Sequence, residues 1–251
     1  MVGRRVTAYS GSQNGALRVE CYLASVSGVC SADKGGPETG AGRLKIANQI
    51  RLPSGADYAV GAEANVDILT WVSSGKVTSK SNGFCDDVLG AGSLHIIGAG
   101  WGLSHLAWNA QEKAVFFQFW ILQDNEGGDP TQEVRAGFPE LEDGGFKILA
   151  SGFPEDDPED GETCEDGSPL TLRSRSRFLH ARISAGDGAA YQTIPGQSLY
   201  LTVVSGRVTV ECQTLEAGDA FLQDDDSHLT VMAAQDAVVL LVDVPVDGAC
   251  R

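Results

Sequence analysis

Short apolar runs separated by glycine turns recur along the chain and predict β-strands. Residues 69–78 comprise an apolar run, a turn at Gly75 and a second run, and residues 201–210 repeat this arrangement around Gly206. Each copy ends in a strongly apolar strand, at residues 115–122 and 237–244. Strands joined by such turns, with no convincing amphipathic helix between them, are typical of antiparallel sheets and argue against a parallel βαβ fold.

The repeat predicts an all-β protein made of two barrels in tandem. Closing an antiparallel sheet into a barrel or jelly roll removes its exposed edges. Glycine, proline and charged residues cluster between Asp124 and Glu142, which predicts the join between the barrels there. We therefore assign the N-terminal barrel to residues 1–135 and the C-terminal barrel to residues 136–251.

Composition suits two globular domains and narrows the class of partner. The 251 residues are 42% apolar, which is enough to fill two cores. Acidic residues outnumber basic ones by 34 to 18, and the formal charge of −16 disfavours nucleic acid and anionic membranes as partners. No apolar stretch approaches the roughly 20 residues that span a bilayer. We expect a cytoplasmic protein whose six scattered cysteines are free thiols.

Part of the negative charge is concentrated in residues 155–166, where eight of twelve residues are acidic. Blocks of like charge repel one another and stay solvated, so we predict a mobile surface insertion in the second barrel without a catalytic role. The alternative is a cation-binding loop. The segment lacks the spaced oxygen ligands and the central glycine turn of an EF-hand, which weighs against that alternative.

The glycine spacing in the first copy matches the cupin motifs. The first motif reads G-x5-H-x-H-x3-E, and when it is counted from Gly55 its three ligand positions carry Gly61, Glu63 and Asp67. The second motif retains its histidine as His105. The skeleton of the motifs is present, but most of their metal-binding side chains are replaced.

Within the cupins, the chain resembles the pirin group, which includes bacterial quercetin-dioxygenase-like proteins. Residues 67–75 read D-I-L-T-W-V-S-S-G and resemble the family's E-I-L-T-Y-V-L-E-G. Residues 98–105 read G-A-G-W-G-L-S-H and are similar to its S-A-G-T-G-I-x-H. Residues 42–46 and 117–121 fit the upstream and downstream strands of the family. The resemblance implies a bicupin fold and a metal site in the first barrel.

Four positions would hold that metal if the family pattern were complete. Pirin-family sites use two histidines from H-P-H and a histidine and glutamate from H-x-E, and the resemblance places these at Gly61, Glu63, His105 and Ala107. Only His105 keeps its identity, and Gly61 and Ala107 offer no side-chain donor. Catalytic transition-metal sites use three or more protein ligands. We therefore predict a degenerate site without a cofactor; the alternative is iron, copper or nickel held by Glu63 and His105.

Asp67 is a possible third ligand, since residues 63 and 67 would share a face of a continuous strand. Trp71 and Trp101 fall in the two strand–turn segments that carry Glu63 and His105. Together these five residues predict a tryptophan-lined pocket at the barrel mouth, suited to a small aromatic molecule. The alternative is that His105 is a hydrogen-bonded mouth residue and that the tryptophans belong to the core and rim.

The second barrel offers fewer candidates. Its ligand positions, counted from Gly186, carry residues that do not form a metal site: Gln192, Ile194 and Ser198. The remaining histidines have no motif partners: His95, His180 and His228.

Three functions remain compatible with the sequence. The first is a pirin-like bicupin without catalytic metal that binds a small molecule. The second is a regulatory protein that binds a protein partner, which the resemblance to pirin allows. The third is a quercetinase-like dioxygenase with unusual ligands at Glu63, Asp67 and His105. That activity depends on a redox metal, whose chemistry the protein only positions. No catalytic residue can be assigned from the sequence.

Overall fold

The computed structural model describes residues 4–6, 8–13, 19–24, 42–138, 145–156, 169–224 and 228–246. Across these ranges, every regular element is a β-strand except for one 3₁₀ turn at Pro154–Asp156. No helix of this part of the chain is long and apolar enough to cross a membrane. The prediction of an all-β bicupin is confirmed.

Apart from its first strand, the first half of the chain forms two facing antiparallel sheets. Its strands are β1 (Arg4–Val6), β2 (Ala8–Gln13), β3 (Val19–Ala24), β4 (Leu44–Leu52), β5 (Asp57–Val60), β6 (Val66–Ser74), β7 (Val77–Ser81), β8 (Asp87–Leu89), β9 (Leu94–Gly98), β10 (Leu106–Ala110), β11 (Ala114–Leu122) and β12 (Thr131–Arg135). The larger sheet has the order β12-β9-β6-β11-β4-β3-β2, and the smaller sheet has the order β5-β10-β7-β8. The sheets face each other across the interior of the first barrel.

The second half repeats this architecture. Its strands are β13 (Lys147–Ser151), β14 (Leu170–Thr171), β15 (Arg177–Ile183), β16 (Gly188–Gln192), β17 (Gln197–Ser205), β18 (Arg207–Val210), β19 (Gln213–Glu216), β20 (Ala220–Asp224), β21 (His228–Ala233) and β22 (Ala237–Pro245). The larger sheet has the order β1-β20-β17-β22-β15-β13-β14, and the smaller has the order β16-β21-β18-β19. Strand β1 therefore belongs to the sheet of the second barrel, in contrast to the sequence-based assignment of residues 1–135 to the first.

Side-chain alternation gives each large sheet an inner and an outer face. On β6, Ile68 and Val72 point into the first barrel, whereas Leu69 and Trp71 point towards the other half of the molecule. The outer faces of the two large sheets pack together in one apolar cluster, which includes Phe119 from β11. The barrels are thus joined by a core, and each also has an apolar interior of its own.

Gly75 and Gly206 occupy equivalent turns in the two barrels. Each has a positive φ, 77° and 82° respectively. A Cβ atom on Gly75 would lie 2.2 Å from the carbonyl oxygen of Lys113, and one on Gly206 would lie 2.2 Å from that of Asp236. Only glycine fits these positions without displacing the neighbouring strand.

The bulges beside these glycines correct the register of the internal repeat. In the first barrel the register between β6 and β11 shifts after Val72, just before Gly75. In the second barrel the register between β17 and β22 shifts after Val203, just before Gly206. Thr70 is therefore equivalent to Leu201, although the repeated Leu-Thr dipeptide suggests equivalence with Thr202. A shift of one residue exchanges the faces of a strand, so Thr70 lies inside its barrel and Thr202 does not.

Most of the acidic segment 155–166 lies outside the described residues. Asp156, at its start, has partners in the second barrel: its carboxylate accepts hydrogen bonds from Arg177 Nε at 2.5 Å and from Ser151 Oγ at 2.5 Å. The Arg177 guanidinium also lies 4.0 Å above the ring of Phe153. The beginning of the segment is thereby anchored to the second barrel.

Candidate functional site

Glu63 lies at the end of the first barrel, just before β6. Its backbone N–H donates to the carbonyl oxygen of Leu103 at 3.0 Å, and Leu103 N–H donates back at 2.8 Å. The side chain is half-buried, and this burial raises the pKa of the carboxyl group, while the nearby Lys45 ammonium opposes the shift. Glu63 is thus the carboxylate of the barrel mouth.

His105 is exposed and directly precedes a strand of the first barrel. Strand β10 begins at the next residue, and its inward side chains include Leu106 and Trp108. Residues 105 and 107 therefore face away from the interior. Within the described ranges, no hydrogen bond or ion pair connects the side chains of the two candidate ligands, His105 and Glu63.

The four positions implied by the family pattern do not fit a transition-metal ion. Gly61 has no side chain, and a Cβ atom built there meets no atom within 4 Å. Ala107 lies opposite Ala59 on the outer face and has no donor. Iron, nickel and copper sites in proteins need several nitrogen, oxygen or sulfur ligands converging on one point. In the described part of the chain, no group of three or more His, Cys, Asp or Glu residues converges in this way.

Asp67 lies at the junction of the two barrels and not at the mouth. Asn65 has a positive φ of 55°, which breaks the strand alternation that would have put Asp67 on the same face as Glu63. The carboxylate accepts hydrogen bonds from Gln123 Nε2 at 2.7 Å and from the backbone N–H of Arg173 at 2.7 Å. Burial raises its pKa against these hydrogen bonds. The expectation of a face shared with Glu63 is therefore wrong.

The two tryptophans of the predicted pocket lie in different environments. Trp71 is buried between the barrels, with ring centroids 6.3 Å from Phe117 and 5.5 Å from His180. Trp101 is 75% exposed and lies over Gly127, where a Cβ atom would approach its indole ring to 2.7 Å. Trp101 is thus a surface aromatic beside the strand ends, whereas Trp71 belongs to the interface core.

A layer of polar side chains crosses the interior of the first barrel. Asn48 pairs with Gln118, Gln118 with Thr70, and Thr70 with His95, on the neighbouring strands β4, β11, β6 and β9. All four are buried, and all lie on the inner face of the sheet. Gln118 Nε2 donates to Thr70 Oγ1 at 3.1 Å. We call these four residues the polar layer.

Two amide oxygens of the polar layer lack hydrogen-bond partners among the described residues, Asn48 Oδ1 and Gln118 Oε1. The ring nitrogens of His95 make no well-formed hydrogen bond there, although the Gln132 side chain lies close enough to interact with the imidazole. Three more unpaired buried groups belong to the same interior: Trp120 Nε1, Trp108 Nε1 and Ser79 Oγ. A buried polar atom without a partner costs about 1–3 kcal/mol. Among the described residues, most of the unpaired buried side-chain atoms therefore lie in the interior of the first barrel.

His95 is held in its neutral form. Burial lowers the pKa of its imidazole to about 4, against the opposing effects of the Asp87 carboxylate and the Gln132 side chain. Gln132 also connects the two sheets of the first barrel, because it lies on the edge strand β12 of the larger sheet and its side chain binds residues at the β8 edge of the smaller sheet. Its Oε1 accepts from Ser81 Oγ at 3.1 Å, and its Nε2 donates to the carbonyl oxygen of Cys85 at 3.1 Å and to the Asp87 carboxylate.

The equivalent layer of the second barrel is entirely apolar. Register pairing places Leu179, Leu241, Leu201 and Phe221 in one row across β15, β22, β17 and β20. By position, these residues correspond in turn to the four members of the polar layer.

The second barrel instead carries polar groups two residues further along its strands. There the buried Asp243 accepts hydrogen bonds from Tyr191 Oη and Thr193 Oγ1, both at 2.6 Å. Asp243 pairs in register with Arg177, whose guanidinium binds Asp156. Burial raises the pKa of Asp243 against these hydrogen bonds. This network is charged and largely paired.

The polar layer does not follow any metal-ligand spacing, and the motifs of the sequence therefore do not predict it. The available signal was a polar residue inside an otherwise apolar strand: Gln118 in F-F-Q-F-W, and His95 in S-L-H-I-I-G. Each becomes informative only when strand pairing shows that they share one row.

Comparison with known proteins identifies the family. Residues 162–244 match the model of the quercetinase C-terminal cupin domain. A candidate quercetin 2,3-dioxygenase of Pseudomonas aeruginosa is 30% identical over 205 residues, which cover 81% of this chain and 84% of that protein. A pirin-like protein of Caulobacter vibrioides is 29% identical over 204 residues, which cover 80% and 83% of the two chains.

Solved structures show the same fold. YhhW from Escherichia coli superposes with a TM-score of 0.80 at 21% identity, covering 98% of each chain. The structure of that bacterial pirin in complex with nickel(II) superposes with a TM-score of 0.78 at 20% identity, covering 98% of this chain and 100% of the other. The chain therefore belongs to the pirin-like, quercetinase-related family of bicupins.

Proposed function

We propose that this protein is a pirin-like bicupin that binds a small molecule without a tightly held catalytic metal. The proposal rests on the residues at the four positions where the family pattern implies metal ligands, because few of them can coordinate an ion. Two of them, Gly61 and Ala107, have no donor atom, and His105 faces outwards. Glu63 alone remains at the mouth, where it suits recognition of a polar group more than coordination of a redox ion.

A metal-dependent quercetinase is the rival function, because relatives of this chain carry that name. Activation of dioxygen and a flavonol on a metal needs an ion that is held firmly while open positions take the substrate. A single half-buried carboxylate does not supply such a centre. A role as a regulatory partner of another protein is compatible with the same loss of ligands.

Metal analysis tests the proposal directly. The protein is purified without chelators or an affinity tag, incubated separately with Fe²⁺, Ni²⁺ and Cu²⁺, desalted, and analysed by elemental mass spectrometry. The quercetin 2,3-dioxygenase of Escherichia coli, treated in parallel, serves as the family control. We expect far less than one equivalent of any ion and no turnover of quercetin. Near-stoichiometric metal that is lost in the variant His105→Ala would overturn the proposal, and turnover of quercetin by the metal-loaded protein would support the dioxygenase function.

A restored variant sharpens the test. Gly61→His, Glu63→His and Ala107→Glu together rebuild the donor types of the family pattern. If missing donors are the reason for weak binding, the triple variant retains more metal than the wild-type protein; if the outward direction of residues 105 and 107 is the reason, it retains no more.

A further inference from the structure

We propose that the polar layer of the first barrel is a binding site for a small, flat, uncharged molecule whose edge carries both hydrogen-bond donors and acceptors. Cyclic amides of the pyrimidine-base type represent this chemical class. The inference builds on the proposed function, since it places the small molecule inside the barrel and not at the position of a metal.

The unpaired atoms define what the ligand must offer. Asn48 Oδ1 and Gln118 Oε1 are acceptors that need donors. The indole N–H groups of Trp108 and Trp120 are donors that need acceptors. Neutral His95 has one donor and one acceptor nitrogen, and its imidazole also interacts with the Gln132 side chain. A ligand with donors alone or acceptors alone would leave part of this set unpaired.

The charge of the site excludes ionic ligands. No member of the polar layer carries a formal charge, because burial keeps the imidazole of His95 neutral. An ion placed beside these groups would lose its hydration without gaining a counter-charge, which costs much more than burying a neutral polar molecule. The charged and largely paired network around Asp243 in the second barrel shows how differently this fold treats a buried ion.

The surrounding layers favour a flat molecule. On one side of the polar layer Phe116 pairs with Ile50 and Val72, and on the other Trp120 pairs with Ile46 and Ile68. Each apolar layer is two residues, or about 7 Å, away along the strands. A planar ring lying in the polar layer would direct its edge to the polar groups and its faces to the apolar layers.

Uracil is the probe for this site, and two molecules of similar size serve as controls. Orotate adds a carboxylate to the same ring, and toluene has a ring without polar edge atoms. The readout is the set of indole N–H resonances in an ¹⁵N-correlated spectrum, since the chain has 4 tryptophans. Single Trp→Phe variants assign each resonance.

We expect uracil to shift the resonances of the two interior tryptophans, Trp108 and Trp120, and to leave those of Trp71 and Trp101 unchanged. Orotate and toluene should produce no such shift. If uracil shifts none of the four, the layer is satisfied by ordered water and the proposal is rejected. A shift confined to Trp101 would place the ligand at the mouth, which rejects this inference but leaves the proposed function intact.

Variants that copy the second barrel provide an independent test. Gln118→Leu and His95→Phe introduce the residues found at the equivalent positions, Leu241 and Phe221. Each should weaken uracil binding roughly tenfold, the loss expected when one buried hydrogen bond is removed. Gln223→Leu, a buried polar position of the second barrel, is the matched control and should bind as the wild type does. Equal binding by all variants contradicts the proposal, and the wild-type spectrum decides the question if a variant fails to fold.

Discussion

The two barrels share one backbone plan but treat buried polarity in opposite ways. In the first barrel the middle layer of the large sheet is neutral and partly unpaired, from Asn48 across to His95. In the second barrel the same layer is apolar, and the polar groups around Asp243 form a charged network with direct hydrogen bonds. The network around Asp243 is satisfied by groups of the second barrel itself, whereas the unpaired groups of the first barrel are those that the proposed ligand would bind.

The largest expected effect comes from removing the charged network of the second barrel. Asp243→Ala leaves the hydroxyl groups of Tyr191 and Thr193 without their acceptor and removes the buried carboxylate beside Arg177. The free energy of unfolding should fall by about 4 kcal/mol, as for other broken buried charge networks. Urea denaturation measures this change. Tyr191→Phe, which removes one donor only, should cost about 1 kcal/mol; equal losses in the two variants would argue against a network centred on Asp243.

Acid should destabilise the first barrel through His95. The pKa of this imidazole is about 4 in the folded protein and 6.5 in its ordinary state, so between these values the unfolded chain binds the extra proton. The free energy of unfolding therefore keeps its full value above pH 6.5. It falls as the pH drops from 6.5 towards 4, by about 3 kcal/mol in total from this residue.

The measurement is the pH dependence of urea unfolding for the wild type minus that for His95→Phe. Buried carboxyl groups with raised pKa values, such as Asp67 and Asp243, change stability in the opposite direction. The difference between the two proteins removes their contribution. Parallel pH profiles for wild type and variant would show that His95 does not titrate as the structure indicates.

Substitution of either turn glycine, Gly75 or Gly206, should destabilise the protein to the same extent, because the two barrels have the same turn at these positions. Gly75→Ala and Gly206→Ala each force a left-handed backbone and a close contact with a neighbouring carbonyl oxygen. We expect a loss of about 2 kcal/mol in each. Gly83→Ala has the same backbone strain without any atom within 4 Å of the new Cβ, and should cost about 1 kcal/mol in thermal or urea unfolding. A Gly83 variant as unstable as the other two would show that strain alone accounts for the effect.

The smallest expected difference lies in the surface hairpins. Arg207 forms an exposed ion pair with Glu216 at 2.8 Å. The equivalent residue of the first barrel is Lys76. Because Val77 pairs with Leu89, Lys76 lies opposite Gly90, which has no side chain to bind it. Arg207→Ala should cost about 0.5 kcal/mol at low salt and nothing at high salt, while Lys76→Ala should be neutral. Unfolding curves at two ionic strengths test this, and a salt-independent loss would point to packing of the arginine stem.

The sequence predicted the fold because strand alternation, turn glycines and the internal repeat all depend on local residue order. It did not predict the geometry of the site, which depends on how strands pair. Asp67 and Glu63 were assigned to one face because a continuous strand was assumed, and the left-handed Asn65 breaks it. Trp71 fell near the candidate ligands in sequence, yet the outer face of its sheet is covered by the other barrel. The polar layer brings together residues from four strands, and no single motif contains it.

The position of β1 ties the order of assembly to the completion of the whole chain. Arg4 pairs with Leu222, almost the full length of the sequence away. During synthesis the first barrel can condense as soon as β12 has emerged from the ribosome, but β1 must wait until β20 is made. A cut between the barrels would separate β1 from its sheet and expose the edge of β20, a ready template for pairing with another chain. We therefore expect β1 to join its sheet late in folding, and we expect a fragment that contains only the second barrel to aggregate more readily than the whole chain.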